Sequence, residues 1–364
     1  MKLIALKDVC KINMGQSPNS SNYNDYGDGM PFFQGNADFG ERYPITRVWC
    51  NTPTKIAQAE DILISVRAPI GALNYAKEEC CIGRGLAAIT PDRNKVSQDF
   101  IYWALKGKKA ELNDKGNGST FKAISRKILE QTMIPDINFE QQHKCAENLE
   151  KIYGIIQNRR KELLALDDLI KARFVEMFGS IHESTKYPYI AVKDLTDVIS
   201  GGTPSRDRSE YWYNGTIPWV KTTELQNNVI KNVDEHITES GLAGSSAKMV
   251  PIGTVLVAMY GQGKTRGMTA YLGIEASTNQ ACACILPSEK IDSMFMWKYF
   301  ELSYDKLRSL AQGAGQPNLN GNMIKNFQVL VPPIELQKEF VSFVEQVDKS
   351  KVAVQKALDE TQTL

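Results

Sequence analysis

The sequence contains one long internal repeat, and this feature restricts the possible folds more than any other. Residues 4–9, Ile-Ala-Leu-Lys-Asp-Val, align without a gap with residues 190–195, Ile-Ala-Val-Lys-Asp-Leu. Of the sixteen positions from 4 to 19, six are identical in the second copy. A period of about 190 residues is the size of a domain and lies far above the roughly 20 to 50 residues of solenoid repeats. The chain is therefore predicted to contain two similar domains in tandem.

The alignment continues through both copies with only small shifts. The turn at 15–18 aligns with 201–204, and residues 30–34, 61–65, 82–85 and 133–135 align in order with 217–221, 254–258, 278–281 and 330–332. We expect a first domain at 1–137, a helix at 138–180, a second domain at 185–332 and a C-terminal helix at 333–364.

Each copy has the pattern of a mixed domain of helices and strands. Apolar runs at 62–66 and 86–89, and at 255–259 and 281–286 in the second copy, are bounded by turn residues and predict strands. The apolar spacing at 100–106 and 295–310 is closer to that of a helix. The fold class is therefore predicted to be α+β, with recognition carried by long polar loops on a rigid scaffold.

A long amphipathic helix is predicted after each domain. Asn138, followed three residues later by Gln141, has the pattern of a helix N-cap. Pro332 and Pro333 suit the start of the second helix. One apolar seam runs along each helix. The first seam comprises Leu149, Ile152, Ile156, Leu163, Leu166, Ile170 and Met177, and the second comprises Leu336, Phe340, Phe343, Val347, Val354 and Ala357.

The two seams predict that the helices pair with each other. An antiparallel, coiled-coil-like pair would place the domains at its opposite ends, related by a pseudo-twofold axis. The alternative is two independent amphipathic helices, each packed on its own domain. Basic and acidic residues are equal in number between Glu140 and Phe178. This helix is therefore expected to be exposed to solvent and not to be a basic arm that binds DNA.

The composition argues against several classes of protein. No apolar run reaches the ~18 residues that a membrane helix needs, and the start of the chain is too short for a signal peptide, so we expect a cytoplasmic protein. The cysteines contain no CxxC pair and the histidines no HxxxH pair, which argues against a disulfide framework or a metal site. The net charge of +1 is low for a nucleic-acid binder, so phosphate contacts would have to come from local basic loops or from a partner subunit.

One string is formally similar to a phosphate-binding loop. Residues 258–265, Ala-Met-Tyr-Gly-Gln-Gly-Lys-Thr, follow a predicted strand. A phosphate-binding loop must lead directly into a helix whose N-terminus holds the phosphates. Residues 266–273 are instead interrupted by glycines and have the pattern of a strand, and the equivalent segment 66–71 lacks the motif. A P-loop-like nucleotide-binding enzyme with a duplicated domain is kept as the alternative hypothesis.

No recognisable catalytic set is present in the sequence. The tetrapeptides that hold a target base for methylation are absent, as is the glycine-rich motif that binds a methyl donor. The histidines lie outside glycine-rich turns, which argues against an activated serine or cysteine nucleophile. The chain is predicted to have no catalytic residues, no metal and no cofactor of its own, and a ligand other than nucleic acid stays open.

Polar loops recur at matching places in both copies. They combine flexible backbone with side-chain donors that can reach phosphates and base edges. Any one of them could be an ordinary polar turn, so it is the recurrence that favours a shared role in DNA binding. The candidate DNA-binding residues are Arg67, Arg84, Asn117, Ser119, Lys122 and Arg126 in the first copy, and Lys221, Thr222, Gln262, Lys264, Arg266, Gln316, Asn318 and Asn320 in the second.

Taken in order, these segments resemble the specificity subunit of type I restriction-modification systems along essentially the whole chain. The resemblance rests on the turns at 15–18 and 201–205 with the Pro-aromatic pairs that follow them, and on residues 61–67. It also rests on the loop at 313–320 followed by Val-Pro-Pro-Ile-Glu-Leu-Gln at 331–337, and on residues 172–179, which close the first helix. The chain departs from the pattern at 361–364, which lack the Met-Phe-Gly closure found at 177–179.

Such a resemblance implies two target recognition domains that each read one half of a split sequence in double-stranded DNA. It also implies partners: two modification subunits, which carry S-adenosylmethionine and methylate adenine, and restriction subunits, which cleave unmethylated DNA. The long helices would hold the domains apart and dock the modification subunits. The residues that identify the two expected partner-binding helices are Leu149, Ile156, Leu163, Ile170, Phe340 and Val347.

Overall fold

A computed structural model of the chain describes residues 2–116, 122–261, 263–311 and 317–363. The chain forms two compact units, Met1–Gln157 and Asn158–Leu364. The border between them falls inside one continuous helix of 40 residues, Phe139–Phe178. Both units combine helices with sheets, which confirms the predicted α+β class.

The first unit is built from short strands and a few helices. Its strands are β1 (Leu3–Ala5), β2 (Cys10–Met14), β3 (Tyr23–Asn24), β4 (Met30–Phe33), β5 (Trp49–Cys50), β6 (Ile56–Ala57), β7 (Ile62–Ser65), β8 (Leu73–Tyr75), β9 (Cys80–Ile82), β10 (Leu86–Pro91) and β11 (Met133–Pro135). Its helices are α1 (Leu6–Val9), α2 (Gln98–Gly107), α3 (Lys109–Asp114), α4 (Arg126–Glu130) and α5 (Phe139–Phe178), which continues into the second unit.

The second unit has the same kinds of element in a similar order, with one additional short helix before its sixth strand. Its strands are β12 (Tyr189–Ala191), β13 (Val198–Ser200), β14 (Ile217–Val220), β15 (Asn228–Ile230), β16 (Glu235–Ile237), β17 (Met249–Val250), β18 (Val255–Ala258), β19 (Thr269–Leu272), β20 (Ala276–Thr278), β21 (Cys282–Ile285) and β22 (Gln328–Leu330). Its helices are α6 (Val192–Leu195), α7 (Glu239–Ala243), α8 (Ser293–Leu302), α9 (Tyr304–Ser309), α10 (Gly321–Lys325) and α11 (Ile334–Gln362).

Most strands in the sheets of the two units correspond. The order β2-β10-β7-β8 in the first unit matches β13-β21-β18-β19 in the second, which adds β15 beside β19. The order β6-β9-β4 matches β17-β20-β14, and the pairs β4 with β9 and β14 with β20 are both parallel. The pair β1-β11 matches β12-β22. The repeat in the sequence is therefore a duplicated fold.

The equivalent interior strands β7 and β18 are buried on both faces. In β7, Ile62 and Ile64 pack in the core that contains α2, whereas Leu63 packs in a second core with β9. In β18, Val255 and Leu256 divide between two cores in the same way. Because successive side chains of a strand point to opposite faces, a strand covered on both sides needs an unbroken apolar run. This explains the runs at 62–66 and 255–259, which were predicted to be strands and are confirmed.

The ladders at the domain ends correct the predicted alignment by two residues. Ile4 pairs with Ile134, and the equivalent Ile190 pairs with Val329. Residues 133–135 therefore correspond to 328–330 and not to 330–332. The sequence alignment was wrong here because both segments are short apolar runs before a proline, and only the pairing with β1 and β12 fixes their register.

The helix predicted at 295–310 is in fact two helices. The first, α8, ends at Leu302 and α9 begins at Tyr304. Ser303 between them has φ −93° and ψ 11°, outside the helical range. Apolar periodicity continues across this break, which is why the sequence pattern did not reveal it.

The start of α5 follows the prediction. The Asn138 side-chain oxygen accepts a hydrogen bond from the Gln141 backbone N–H at 2.9 Å, as an N-cap does. The same helix ends at Phe178, and Gly179 follows with a φ of +86°, a conformation that favours glycine.

Within the second unit, the end of α5 packs against α11. The rings of Phe174 and Phe340 lie 5.5 Å apart. Arg173 bonds to Glu339 at 2.8 Å, and Lys351 bonds to Asp167 at 2.6 Å. Residue numbers rise along α11 while they fall along α5, so these two segments are antiparallel. The helix α11 also packs on α8, so the predicted pairing and packing on the helix's own domain coexist here.

The buried faces of these helices differ in detail from the predicted seams. Leu149 is 41% exposed, whereas Phe174 and Phe178, which the predicted seam omitted, are completely buried. On α11, Val344 and Leu358 are buried in place of the neighbouring Phe343 and Ala357. The prediction chose between adjacent apolar positions from spacing alone, and contacts with the domain decide between them. The buried residues of α11 are Gln337, Phe340, Val344, Val347, Val354 and Leu358.

We expect Phe174→Ala to lower the free energy of unfolding of the second unit by about 3–5 kcal/mol, because a buried ring is replaced by a cavity. Phe174 contacts the rings of Phe295 and Phe340. The control is Leu164→Ala, at a side chain that is 66% exposed, with an expected effect within about 0.5 kcal/mol. Urea unfolding followed by the fluorescence of the buried Trp297 measures both. Equal effects of the two substitutions would contradict this packing.

Candidate nucleic-acid interface

A turn near the start of each domain is bonded to the end of one strand, β9 in the first unit and the equivalent β20 in the second. In the first unit, the Gln16 backbone N–H donates to the Ile82 carbonyl at 3.0 Å. In the second unit, the Gly202 N–H donates to the Thr278 carbonyl at 2.9 Å. These pairs occupy aligned positions, so the same backbone contact occurs twice. It places each turn beside the loop that joins the two sheets, at 83–85 and 279–281.

Glycine is required at the first position of both turns. A Cβ atom on Gly15 would lie 2.2 Å from the Gly83 carbonyl oxygen, and one on Gly201 would lie 2.1 Å from the Thr278 carbonyl oxygen. Real Cβ atoms do not approach backbone oxygens so closely, and backbone cannot move aside as a flexible side chain can. The two glycines therefore allow the close approach that exposes the neighbouring side chains.

This contact builds a small cleft in the first unit. Ser17 accepts a hydrogen bond from the Arg84 backbone N–H at 3.2 Å and one from the Gln34 amide at 2.9 Å. Arg67 lies two residues after the end of β7 and lines the same cleft. The cleft has a volume of about 200 Å³ and is lined by Gln34, Gly35, Asn36, Arg67, Ala68, Arg84 and Gly85.

The structure thus brings together two of the predicted DNA-binding residues, Arg67 and Arg84. Both are exposed, and neither forms an ion pair with another residue in the described parts of the chain. A guanidinium can form paired hydrogen bonds with guanine or with phosphate, and the amides of Gln34 and Asn36 can pair with adenine. Sequence reasoning missed Gln34 and Asn36, although their amide type next to the Pro-Phe segment was visible.

Lys122 and Arg126 have different surroundings. The Lys122 carbonyl accepts a hydrogen bond from the Ala68 N–H at 3.2 Å, which places this exposed lysine beside the cleft. Arg126 begins α4 and bonds to Glu130 at 2.8 Å, so its charge is balanced on the same helix. Four other predicted contacts, Asn117, Ser119, Gln262 and Gln316, lie outside the described residues.

The string that is similar to a phosphate-binding loop is a β-hairpin connection. Strand β18 before it and β19 after it are antiparallel neighbours, with Val257 opposite Thr269. The segment 263–268 consists of turns and leads into β19 and not into a helix. The geometry that binds phosphate at a helix N-terminus is therefore missing from these residues, and the nucleotide-binding alternative has no support.

The hairpin connection is held by residues from other segments. The Tyr304 hydroxyl donates to the Lys264 carbonyl at 2.7 Å, and Arg308 donates to the Arg266 carbonyl at 2.9 Å. The half-buried Arg266 guanidinium donates to the Pro317 carbonyl. The Lys264 side chain is exposed, whereas Arg266 has a partner within the protein. Contact with DNA by either residue stays a prediction.

Lys221 lies in a cluster of charges that the sequence did not reveal. Its ammonium group is 3.0 Å from Glu235, which also bonds to Arg206 at 2.6 Å. The hydrogen bond to Glu235 raises the pKa of Lys221. Burial opposes ionisation of Glu235, but the hydrogen bonds from Arg206 and Lys221 outweigh it and lower its pKa. Arg206 also stacks 3.6 Å over the ring of Trp212, and Thr222 begins the short turn after Lys221.

The two predicted asparagines of the second unit have unlike environments. The Asn320 side-chain oxygen accepts from the Met323 N–H at 3.0 Å and caps α10, which leaves its amide nitrogen at an exposed position. The side-chain oxygen of Asn318 is buried without a hydrogen-bond partner among the described residues. Asn320 thus has a structural role, and base contact by either residue stays a prediction.

The residues chosen to mark partner-binding helices divide into two groups. Ile170, Phe340 and Val347 are at most 6% exposed and belong to the core of the second unit, so these three side chains cannot form a docking surface. Leu149 is exposed, and Ile156 and Leu163 are partly buried. Docking of a partner on these helices stays a prediction and would use their outer faces.

Within residues 2–116, 122–261, 263–311 and 317–363, no helix combines the length and the apolar character needed to cross a membrane. Within the same ranges, no group of three or more histidine, cysteine or acidic side chains is placed to hold a metal ion.

A family comparison agrees with the duplicated geometry. The type I restriction modification DNA specificity domain matches residues 1–166 and again residues 184–361. The chain belongs to this family. The two matches fall on the two halves of the repeat, as a duplicated specificity domain requires.

Individual relatives differ in how much of the chain they cover. The putative type I restriction enzyme MjaX specificity subunit of Methanocaldococcus jannaschii is 47% identical over 42% of this chain and 36% of its own length. The MjaIX specificity subunit of the same organism is 22% identical over 97% of this chain and 88% of its own length. The crystal structure of a type I restriction-modification S subunit from M. genitalium covers 100% of this chain and 93% of its own, with 15% identity and a TM-score of 0.60, a likeness in fold.

We expect Tyr304→Phe to accelerate hydrogen exchange of residues 263–268 about 2- to 10-fold, because a hydrogen bond contributes about 0.5–1.5 kcal/mol net. Exchange in β18 should not change, since its ladder partners are intact. Exchange followed by mass spectrometry measures both segments. Tyr213→Phe, at a tyrosine that is 76% exposed, is the control and should have no effect. The same exchange rate in wild type and Tyr304→Phe would show that other contacts hold the connection.

Proposed function

We propose that this chain is the DNA-recognition subunit of a type I restriction-modification complex and that it catalyses no reaction itself. The observation that carries the proposal is the duplicated scaffold of a specificity-family chain, with different exposed side chains at the same place in each copy. Arg84 lies beside Ser17 in the first unit, and Gln280 bonds to Thr203 in the second. Each domain would read one half of a bipartite target in double-stranded DNA.

The chemistry of these two positions supports an asymmetric target. Arginine pairs most specifically with guanine, whereas glutamine pairs with adenine in the major groove. Arg84 and Gln280 are both exposed and both sit in the loop that the glycine turn supports. One scaffold therefore presents two different readers, and the two half-sites are expected to differ in sequence.

The charge of the chain supports a role inside a larger complex. A net charge of +1 can neutralise few phosphates, and sequence-independent affinity for DNA depends on such neutralisation. Two modification subunits that carry S-adenosylmethionine would bind on the long helices, supply further positive surface and methylate adenine. Restriction subunits would join them to cleave unmethylated DNA in the cytoplasm. In this proposal the chain itself holds no cofactor.

The function is tested by expressing the chain with its modification subunits in a host without other adenine methylation. Sequencing that detects methylated adenine should reveal one bipartite motif, with two defined half-sites and an unread gap of constant length. Omitting the chain should abolish the motif. Methylation that does not depend on the chain, or that has no bipartite motif, would contradict the proposal.

In the same assay, we expect Arg84→Ala to relax one base-pair position in one half-site and to leave the other half-site intact. A paired arginine contact is worth about 1–3 kcal/mol, so discrimination at that position should fall about 5- to 150-fold. Arg93→Ala, at an exposed arginine of the same unit outside the cleft, should leave the motif unchanged. Relaxation of both half-sites together would contradict independent reading by the two domains.

Spacing of the half-sites should depend on the long helices. Inserting four residues at Gly154 in α5, matched by four at Ser350 in α11, adds about 6 Å at ~1.5 Å per residue. Because B-DNA rises ~3.4 Å per base pair, the unread gap should lengthen by about one or two base pairs. Methylation mapping would show the longer gap with the same bases in each half. An unchanged gap would mean that other contacts set the spacing.

A further inference from the structure

A buried glutamine joins the start of α5 to the first domain. Gln142 is only 3% exposed. Its Oε1 accepts a hydrogen bond at 2.7 Å from the backbone N–H of Ser97, the residue that precedes α2. Its Nε2 donates to the Ile137 carbonyl at 2.8 Å, in the segment that leads into α5. One side-chain amide therefore connects the beginning of a domain helix, the end of the domain and the first turn of the long helix.

The second unit contains the same arrangement. Gln337, in the first turn of α11, is 1% exposed. Its Oε1 accepts from the Asp292 N–H at 2.9 Å, and Asp292 is the residue that precedes α8. Its Nε2 donates to the Pro332 carbonyl at 2.7 Å. In both units the glutamine lies 45 residues after the backbone N–H that it accepts from.

The recurrence is informative because the surrounding side chains differ between the two copies. Ser97 corresponds to Asp292, and Ile137 corresponds to Pro332. The glutamine bonds only to backbone groups, so it is compatible with any side chain at these positions. A buried amide is costly unless both of its ends are bonded, and here both are. Since these bonds are directional, the amide admits one relative orientation of helix and domain.

A second contact holds each domain farther along its helix. In the first unit, Arg42 bonds to Glu150, about two turns after Gln142. In the second unit, the buried Lys298 lies 3.6 Å from Asp348, about three turns after Gln337. Apolar packing of the helix on the domain tolerates small rotations. Two directional polar contacts at separate points along the helix axis restrict them.

We propose that Gln142 and Gln337 are positioning residues that set the angle at which each recognition domain is held on its long helix. This angle determines which gap between the two half-sites the protein accepts. The inference rests on the proposed function, because spacing has a meaning only for a bipartite target. Without the amide, a domain retains its ion pair and its apolar packing, which tolerate small rotations of the helix, and gaps on either side of the normal length become acceptable.

The test uses the complete complex with its modification subunits and compares methylated sites across a genome. The variants are Gln142→Met, Gln337→Met and the double variant, since methionine keeps the length of glutamine and removes both hydrogen bonds. Gln141→Met and Gln346→Met, at exposed glutamines of the same two helices, are the matched controls. Hydrogen exchange of the wild-type and variant chains, measured in the same complexes, reports on residues 97–100 and 292–295.

We expect methylation at gaps about one base pair longer or shorter to rise about fivefold in each single variant, the factor that corresponds to the loss of the one hydrogen bond, to the Ser97 or Asp292 N–H, that joins the long helix to the domain helix. The double variant should accept a wider range of gaps, and the bases of both half-sites should stay the same. Exchange should accelerate at 97–100 in Gln142→Met and at 292–295 in Gln337→Met. Both controls should keep the wild-type gap.

Two results would overturn the positioning role. One is a single unchanged gap in all variants. The other is an equal loss of methylation at every site together with faster exchange throughout the chain, which would make the glutamines general contributors to stability. A wild-type complex that methylates no bipartite motif would instead overturn the proposed function, so the two failures are distinguishable.

Discussion

The burial of one strand on both faces underlies the rest of each unit. Strand β7 separates two cores, one with α2 and one with β9, and β18 does the same with α8 and β20 in the second unit. Each completely buried branched side chain in these strands contributes about 1.5–3 kcal/mol. The strands therefore have little freedom to shift, and the residues that follow them, Arg67 and Tyr260, start their loops from fixed points. Because each loop begins at a rigid strand, its sequence can vary while its position on the protein surface stays the same.

In the candidate interface, backbone hydrogen bonds fix the position of the turns, whereas exposed side chains determine the chemistry of the surface. The bond from Gln16 to Ile82 and the bond from Gly202 to Thr278 are made by backbone atoms, so they persist when side chains change. The exposed side chains beside them differ in charge between the copies. The guanidinium groups in the first cleft have no ion-pair partner in the described parts of the chain, whereas Lys221 is paired with Glu235. One frame thus supports two different electrostatic surfaces, which suits recognition of two different half-sites.

The long helices have two kinds of contact with the rest of the protein. At the end of α5, the aromatic rings of Phe174 and Phe178 are buried in the core of the second unit, so this part of the helix is integral to that unit's stability. At the start of α5 and of α11, a buried amide adds directional hydrogen bonds to apolar packing that includes Ala146 and Phe340. Apolar packing supplies most of the free energy but tolerates small rotations, whereas hydrogen bonds between buried groups select one orientation.

The sequence by itself determined the duplication, the α+β class, the buried strands and the capped start of α5, because repeats, apolar runs and N-caps are patterns of residues that are close along the chain. It also indicated Arg67 and Arg84, which the fold places in one cleft. Only the tertiary structure showed that the equivalence of β11 and β22 is shifted by two residues from the sequence alignment. It also showed that Phe174 is one of the core residues of α5. It also decided the partners of Gln142 and Arg42, which lie 45 and 108 residues away along the chain. Such contacts join residues that are far apart in the sequence. They depend on how separate elements pack, and no local pattern of residues encodes this packing.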